Sequence, residues 1–446
     1  MVKERAQRAS PNRPSQQRLT DAIAAASWAA LLAPHRADGE EQPEGVPTCL
    51  AAYRFSDRLA VAIVQDERDR TYPVPLVATD TELRRAEAGD GASEALIELL
   101  AGGNRVLGDF RVTTWHHSAV TGERAITVDQ TNESLVVGEQ AVVKWTSLAD
   151  EGPHPAPLLF AELDRGGFTG MPQPWGTVQW LPPDDSAPRL VATVADFVPA
   201  AEDGWTWAVG DIRAAVVEVT SHRVEATGRD VGELVASFHR ALAHTARPDA
   251  PGEALGWRSG AEGDLDRALA VTTGRARELL LEHEAAVRSA FATLPTKSAL
   301  VMRVHGDLHV GQVLRSQTAG SPEYLLTDFD GNPVVPPTER ICEQPAAVDV
   351  AGMAQSFLHA GLVVTKHNPS LNADRVVETA LAARAALVEA YRCSMGEHSG
   401  LLDERLLRPF ALRQVCREFI YAATHLPRWS YVPEQALPLT LDEGNL

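Results

Sequence analysis

Two short apolar runs, Ala299-Leu300-Val301-Met302 and Tyr324-Leu325-Leu326-Thr327, each lead into an acidic loop, and the residues of those loops constrain this chain more than any other feature. The first run opens His305-Gly306-Asp307-Leu308-His309-Val310-Gly311-Gln312. The second opens Asp328-Phe329-Asp330, sixteen residues after Gln312. Runs of this length bounded by turn residues read as strands, so both acids emerge from strand ends. Phosphoryl transfer asks for a carboxylate that orients the acceptor hydroxyl and takes its proton, an amide five residues later on a metal ion, and a strand-end Asp bridging metal to nucleotide. Asp307, Gln312 and Asp328 stand at those places. Taken alone, His-Gly-Asp is also an ordinary turn. The second acidic strand end at the right distance makes the catalytic reading the better one. A zinc site on His305 and His309 fits less well, because no Glu follows His305 and Gly306 and Gly311 oppose a continuous helix.

With 446 residues the chain exceeds one ordinary hydrophobic core, so two or three domains are expected. Its net charge of -19 disfavours nonspecific attraction to nucleic acid or an anionic membrane. The expected partner is a small molecule. Cys49, Cys342, Cys393 and Cys416 lack metal-ligand spacing and read as buried thiols in a reducing compartment. The polar start has no apolar secretion-signal core and no apolar run approaches a membrane span, so the expected location is the cytoplasm.

Residues 1–16, rich in Arg, Ser, Pro and Gln, are expected to be disordered. Residues 17–120 read as an N-terminal α+β cap: an Ala-rich helix to about 33, alternating strands between 48 and 77, a helix at 93–101, and a closing strand at 110–115. Residues 121–200 are β-rich with one helix near 155–165. Residues 201–446 are helical except for the strand-and-loop segment 299–345, whose Pro-bearing stretch Asn332–Pro345 is a candidate ordered loop or lid.

A nucleotide site also needs a cation at the α/β-phosphates, held on a strand. The run Asn132–Trp145 reads as a hairpin turning near Gly138, with Ser134 on the first strand and Lys144 near the end of the second. A solvated edge lysine is the plainer alternative. However, Lys144 is the single Lys between Lys3 and Lys297 in a chain that otherwise uses Arg, which suits a point charge at phosphate. Glu162, on the helix Leu158–Leu163, is the candidate carboxylate to hold it. Asp196 to Val198, at the end of the β-rich region, would offer backbone groups to adenine.

The Lys144 hairpin, Asp203-Gly204-Trp205, HGDLHVGQVLR, DFDGNP and Asp349–Phe357 together resemble the actinobacterial maltokinases, a branch of the aminoglycoside-phosphotransferase-like kinases, over about residues 45–435. The resemblance implies an α+β, bilobal protein-kinase-like fold with the added N-terminal cap. It also implies ATP and Mg2+ as cofactors, Asp307 as base, Gln312 and Asp328 as metal ligands, and Lys144 on the phosphates. Ser134, Glu162, Asp196 and Val198 complete the ATP-side candidates. Maltokinases usually carry Glu in place of Asp330 and Glu-Pro in place of Asn332-Pro333. The string Arg413–Trp429 is instead similar to the glucosamine kinases.

Gln414, Glu418 and Tyr421 fall on one helix face, and Trp429 follows the stop at Pro427. An acid, an amide and aromatics suit an amino sugar, whose hydroxyls want polar partners and whose ammonium wants a carboxylate. Asp330 and His309 join this acceptor-side set. A solvated helix with packed aromatics is the plainer reading, and the family resemblance favours the sugar. The expectation is an ATP-dependent kinase acting on the 6-hydroxyl of glucosamine. Maltokinase, aminoglycoside phosphotransferase and an inactive kinase-like binding protein are the alternatives.

Overall fold

Period-2 alternation between Thr48 and Ala78 builds a meander. Strands β1 (Thr48–Arg54), β2 (Leu59–Gln65), β3 (Thr71–Ala78) and β4 (Leu83–Arg85) pair antiparallel in chain order. Ala60, Ala62 and Val64 of β2 pack on one face with Tyr72, Val74 and Leu76 under helices α1 (Arg13–Ala25) and α2 (Trp28–Leu31). Val61 and Ile63 point the other way, as a pleated strand requires. This computed structural model describes residues 13–32, 43–79, 82–126, 133–149, 152–184, 186–250, 253–295, 299–317 and 322–442. The chain divides into two units, one spanning Met1–Pro157 with Pro172–Pro199, the other Leu158–Met171 with Ala200–Leu446.

In the first unit, a second antiparallel sheet contains β5 (Arg105–Leu107), β6 (Phe110–Thr114), β7 (Glu123–Ala125), β8 (Glu133–Val137), β9 (Ala141–Trp145), β10 (Pro174–Trp180) and β11 (Arg189–Asp196). Its order is β5-β6-β10-β11-β9-β8-β7. Val61 and Ile63 share one core with Trp145, Trp175 and Val194 of this sheet and with helix α3 (Ala92–Leu100). The boundary expected at residue 120 is therefore corrected: β6 pairs with β10, and the supposed cap and β-rich region bury a common core. Helix α3 lacks a capping side chain of its own. The Glu123 carboxylate caps it from β7, accepting the backbone N–H groups of Ser93 and Glu94 at 2.7 and 3.1 Å. At the N-terminus α1 already begins at Arg13, inside the segment expected to be disordered; residues 1–12 lie outside the described residues.

Helix α4 (Pro155–Arg165) carries most of its length in the second unit, which continues with α5 (Gly204–Glu218), α6 (His222–Leu242), α7 (Glu253–Val271), α8 (Gly274–Phe291), α9 (Pro337–Arg340), α10 (Ala347–His367), α11 (Ala373–Met395), α12 (Leu407–Thr424) and α13 (Tyr431–Asp442). Two small two-stranded sheets interrupt them: β12 (Arg247–Pro248) pairs with β13 (Leu300–Val301) across α7 and α8, and β14 (Val313–Ser316) with β15 (Glu323–Leu326). Helix α10 is long and apolar enough to be weighed as a membrane span, but it is buried among the other helices of its unit and forms their core. All four cysteines are free, and Cys342 and Cys393 are exposed rather than buried, Cys393 with its Sγ toward Glu389.

Candidate active site

The loop that carries Asp307 is fastened from below by α10. The Asp349 carboxylate accepts the backbone N–H of His305 at 2.7 Å and of Gly306 at 2.9 Å. His239 Nε2 lies 3.1 Å from the same carboxylate and its Nδ1 2.8 Å from the Tyr391 hydroxyl, so a fully buried relay ties three helices to the loop. Burial opposes the charge on Asp349, but the hydrogen bond from His239 and the donors around it outweigh burial and hold the carboxyl below its usual range. Gly306 has φ +82°, which favours glycine, and a Cβ at Gly352 would stand 2.6 Å from the Leu308 carbonyl. Asp349→Ala leaves the buried His305 N–H, the half-buried Gly306 N–H and a buried imidazole without their acceptor, an expected cost of about 3–5 kcal/mol readable by denaturant titration. In the wild type this stabilisation is present at neutral pH and fades on acidification, as a depressed carboxylate requires.

The two acidic loops are joined to each other. His305 Nε2 contacts the Thr327 carbonyl at 2.9 Å, and Thr327 N–H donates to the Gln312 carbonyl at 2.9 Å. Phe329 packs among Phe160, Phe238 and His305. With Phe329 held inward, Asp328 turns outward at φ +61°, a left-handed conformation that costs a non-glycine residue energy and recurs at functional turns. Asp307 sits in a more enclosed position. Burial pushes its carboxyl up, with His309 and His305 pulling the other way and Asp328 adding to the rise. Gln312 is buried and its Nε2 lies 3.4 Å from His309 Nε2, which leaves its carbonyl oxygen for a hard cation. One carboxylate and one amide oxygen suit Mg2+, which keeps waters and takes its remaining ligands from substrate phosphates. Among the described residues no group of three or more His, Cys, Asp or Glu side chains is gathered for a metal, so such an ion would depend on the nucleotide for further ligands.

From Asp307 a chain of contacts reaches Glu418. His309 Nε2 lies 4.0 Å from Asp307 Oδ2, the His309 and Trp205 rings are 6.0 Å apart, Trp205 meets Trp429 edge to face at 5.3 Å, and Trp429 Nε1 donates to Glu418 Oε2 at 3.3 Å. The other Glu418 oxygen lies 3.0 Å from Nδ1 of buried His359. Burial alone would raise the Glu418 carboxyl; His359 and Trp429 reverse this and hold it below its usual range. Along this face of α12, Gln414 and Glu418 are half-buried and Tyr421 is exposed with its ring against His425. Asp330 is half-buried between Phe329 and Gly331. Glu343, another acid of this loop, is engaged by Arg247 and Arg303.

The nucleotide-side candidates fall in different units. In the first, Ser134 and Lys144 stand directly opposite in the β8–β9 pair, and Thr193 flanks Lys144 on β11. Two of the three backbone N–H groups expected at adenine are engaged within the unit. Asp196 N–H donates to the Gln173 carbonyl and Phe197 N–H to that of Gln140, at 2.9 and 2.8 Å. The Asp196 side chain accepts from Trp175 Nε1. Glu162 is the carboxylate expected to hold Lys144. It lies in the second unit, where His244 Nε2 at 2.7 Å and Arg165 at 3.1 Å engage its carboxylate.

Trp205, His359, Asn332 and Arg417 were not among the sequence candidates. Trp205 follows a helix cap, Asp203, whose carboxylate accepts from Thr206 N–H; an Asp-Gly-Trp string can signal the helix start but carries no sign of the Trp429 and His309 rings that Trp205 meets. Asn332 Nδ2 donates to Asp307 Oδ1 at 2.7 Å. Arg417 bonds Asp264 and lies within electrostatic reach of Asp307. Arg315, from the HGDLHVGQVLR string, has a structural part: it pairs with Glu202 and Asp211 over the Trp207 ring.

An anchored loop Asp, an amide five residues on and a strand-end carboxylate, in a chain whose β unit precedes a helical one, define a phosphotransferase of the α+β kinase-like class that uses a hydroxyl acceptor. No family model matches the chain. A glucosamine kinase of Mycolicibacterium smegmatis is 44% identical over 393 residues, 86% of this chain and 96% of the relative. One from Streptacidiphilus jiangxiensis is 38% identical over 436 residues, covering 94% and 98%. Among solved structures, a glucosamine kinase in complex with glucosamine, ADP and inorganic phosphate is similar at 35% identity and TM-score 0.79, covering 94% of this chain and 98% of that one. A second crystal form of glucosamine kinase gives 35% and 0.82, covering 95% and 99%. The chain belongs to the glucosamine kinase family.

Proposed function

We propose that this chain transfers the γ-phosphoryl group of Mg·ATP to the 6-hydroxyl of glucosamine. The observation that carries this reading is the path from Asp307 through His309, Trp205 and Trp429 to Glu418, two carboxylates joined by aromatic rings. In a 2-amino-pyranose the amine and the exocyclic hydroxymethyl group project from opposite sides of the ring. One acid therefore serves each end, Glu418 for the ammonium and Asp307 for the reacting hydroxyl, while Trp205 and Trp429 offer apolar faces to the sugar C–H groups. The solved relative with glucosamine, ADP and phosphate supports the same pair of substrates. Maltose has no ammonium to match Glu418, and an inactive binding protein has no need of Asp307, Gln312 and Asp328 together.

Asp307 holds the acceptor hydroxyl and takes its proton as the new O–P bond forms. Gln312 and Asp328 would hold Mg2+, which when bound neutralises charge on the phosphates. Lys144, Ser134 and the Val198 N–H are the ATP-side groups offered by the first unit. Free cysteines accord with the cytoplasm as the compartment.

The deciding experiment is a coupled ADP-release assay over glucosamine, glucose, N-acetylglucosamine, maltose and an aminoglycoside panel. Glucosamine is expected to give the highest kcat/KM, and a preference for maltose or an aminoglycoside overturns the reading. A second result bears on the metal. Asp328→Ala is expected to weaken Mg-dependent ATP binding on the order of tenfold, ~1.4 kcal/mol by calorimetry, through loss of a direct carboxylate ligand. Equal Mg·ATP affinity in the variant would remove Asp328 from the metal.

A further inference from the structure

We infer that Asn332 is a positioning residue for the catalytic base: it saturates one oxygen of Asp307 and so assigns the acceptor hydroxyl to the other. The inference rests on the reading of Asp307 as the base. Asn332 is buried, and its amide is fixed at both ends, Nδ2 donating to Asp307 Oδ1 at 2.7 Å and Oδ1 accepting from Val334 N–H at 3.1 Å. Turning the amide over would set oxygen against carboxylate and N–H against N–H, losing both bonds. The orientation is thus determined by the contacts themselves.

The segment around it is built to hold that amide. Gly331 turns the chain at φ +75°, and Pro333 keeps Asn332 out of the helical region. Arg340 donates to the carbonyls of Val335 and Pro333 at 2.9 and 3.3 Å, and Arg267 reaches that of Val334 at 3.4 Å. The stretch considered as a lid is therefore tied down at its start. Because Asn332 lies four residues after Asp328, one turn of chain supplies both the candidate metal carboxylate and the amide that sets the base. With Oδ1 occupied, the free oxygen of Asp307 is Oδ2, which lies on the side of His309 at 4.0 Å. That is also the side from which the Trp205, Trp429 and Glu418 path begins. A donor to the carboxylate favours its charged, basic form, as do His305, His309 and Arg417 nearby, against burial and Asp328.

The test compares Asn332→Ala and Asn332→Asp in the full chain. Asn332→Asp keeps the size of the side chain and an acceptor for Val334 but puts an acceptor where the donor stood. Both variants are expected to lose about 10- to 100-fold in kcat on the preferred acceptor, with KM for ATP within about twofold of wild type. The acid limb of kcat/KM in Asn332→Ala is expected to move up by about one pH unit, since a hydrogen bond to the charged form is gone. A side chain that only fills space would let the isosteric Asn332→Asp work normally. If Asn332→Asp folds and keeps kcat within about threefold of wild type, the inference is overturned, and this variant decides alone should Asn332→Ala fail to fold. The wild-type acceptor panel is run first. A preference for another sugar alters the proposed substrate, while the variant-to-wild-type ratio on that sugar still judges Asn332.

Discussion

Asp307→Asn is expected to lower kcat by on the order of 10²–10⁴ while ATP binding changes little. The amide keeps the shape of the carboxylate but can neither take the hydroxyl proton nor attract it. Turnover within a few-fold of wild type would sink the assignment of Asp307 as base. The pH profile gives a second check. Burial raises the Asp307 carboxyl above its ordinary value, whereas His359 and Trp429 hold Glu418 below its own. A base must be ionised to act, so wild-type kcat falls as pH drops through the raised Asp307 value. Glu418 keeps its charge to lower pH. On acidification turnover is therefore lost before affinity for the amino sugar, and Asn in place of Asp307 removes the first of these transitions.

Glu418→Gln is expected to weaken glucosamine roughly 10- to 150-fold, the loss of a charge-assisted hydrogen bond of about 1.5–3 kcal/mol, while neutral sugars lose much less. Gln keeps the size of the side chain and one oxygen that can accept from Trp429, while its amide N–H can face the His359 ring nitrogen, so the fold is expected to persist. The glucosamine-to-glucose ratio of kcat/KM should collapse in the variant. In the wild type the same ratio should fall as pH rises through the sugar amine's own pKa, because the ammonium, and not Glu418, is then the group that loses charge. An unchanged ratio in Glu418→Gln would move the ammonium partner elsewhere. Asp330 would then be next, since Glu343 is already engaged by Arg247 and Arg303.

Local order along the chain was enough to find the loop of Asp307, the amide of Gln312 and the strand end at Asp328, because these lie within about two dozen residues and each needs a particular residue type at a particular offset. The hairpin of Lys144 was legible for the same reason: alternation and a glycine turn define a β8–β9 pair in which Ser134 falls opposite Lys144. Contacts between residues distant in sequence were another matter. Glu162 was reached from Lys144 by chain order alone, and nothing along the chain announces that His244, 82 residues further on, meets its carboxylate. Tyr421 shares a helical period with Glu418, but that period gives no sign that its ring lies against His425.

The residue types proposed for the chemistry, and their spacing within each loop, are written in the chain, since backbone geometry over a few residues follows from local sterics and turn preferences. Which acid faces which cation, that His359 backs Glu418, that Asn332 grips Asp307 and that the region before residue 120 shares a core with the sheet after it, were settled by packing. Those partners are brought together by burial of apolar surface, which fixes the helices and sheets in place without encoding any pairwise match that could be read along the sequence.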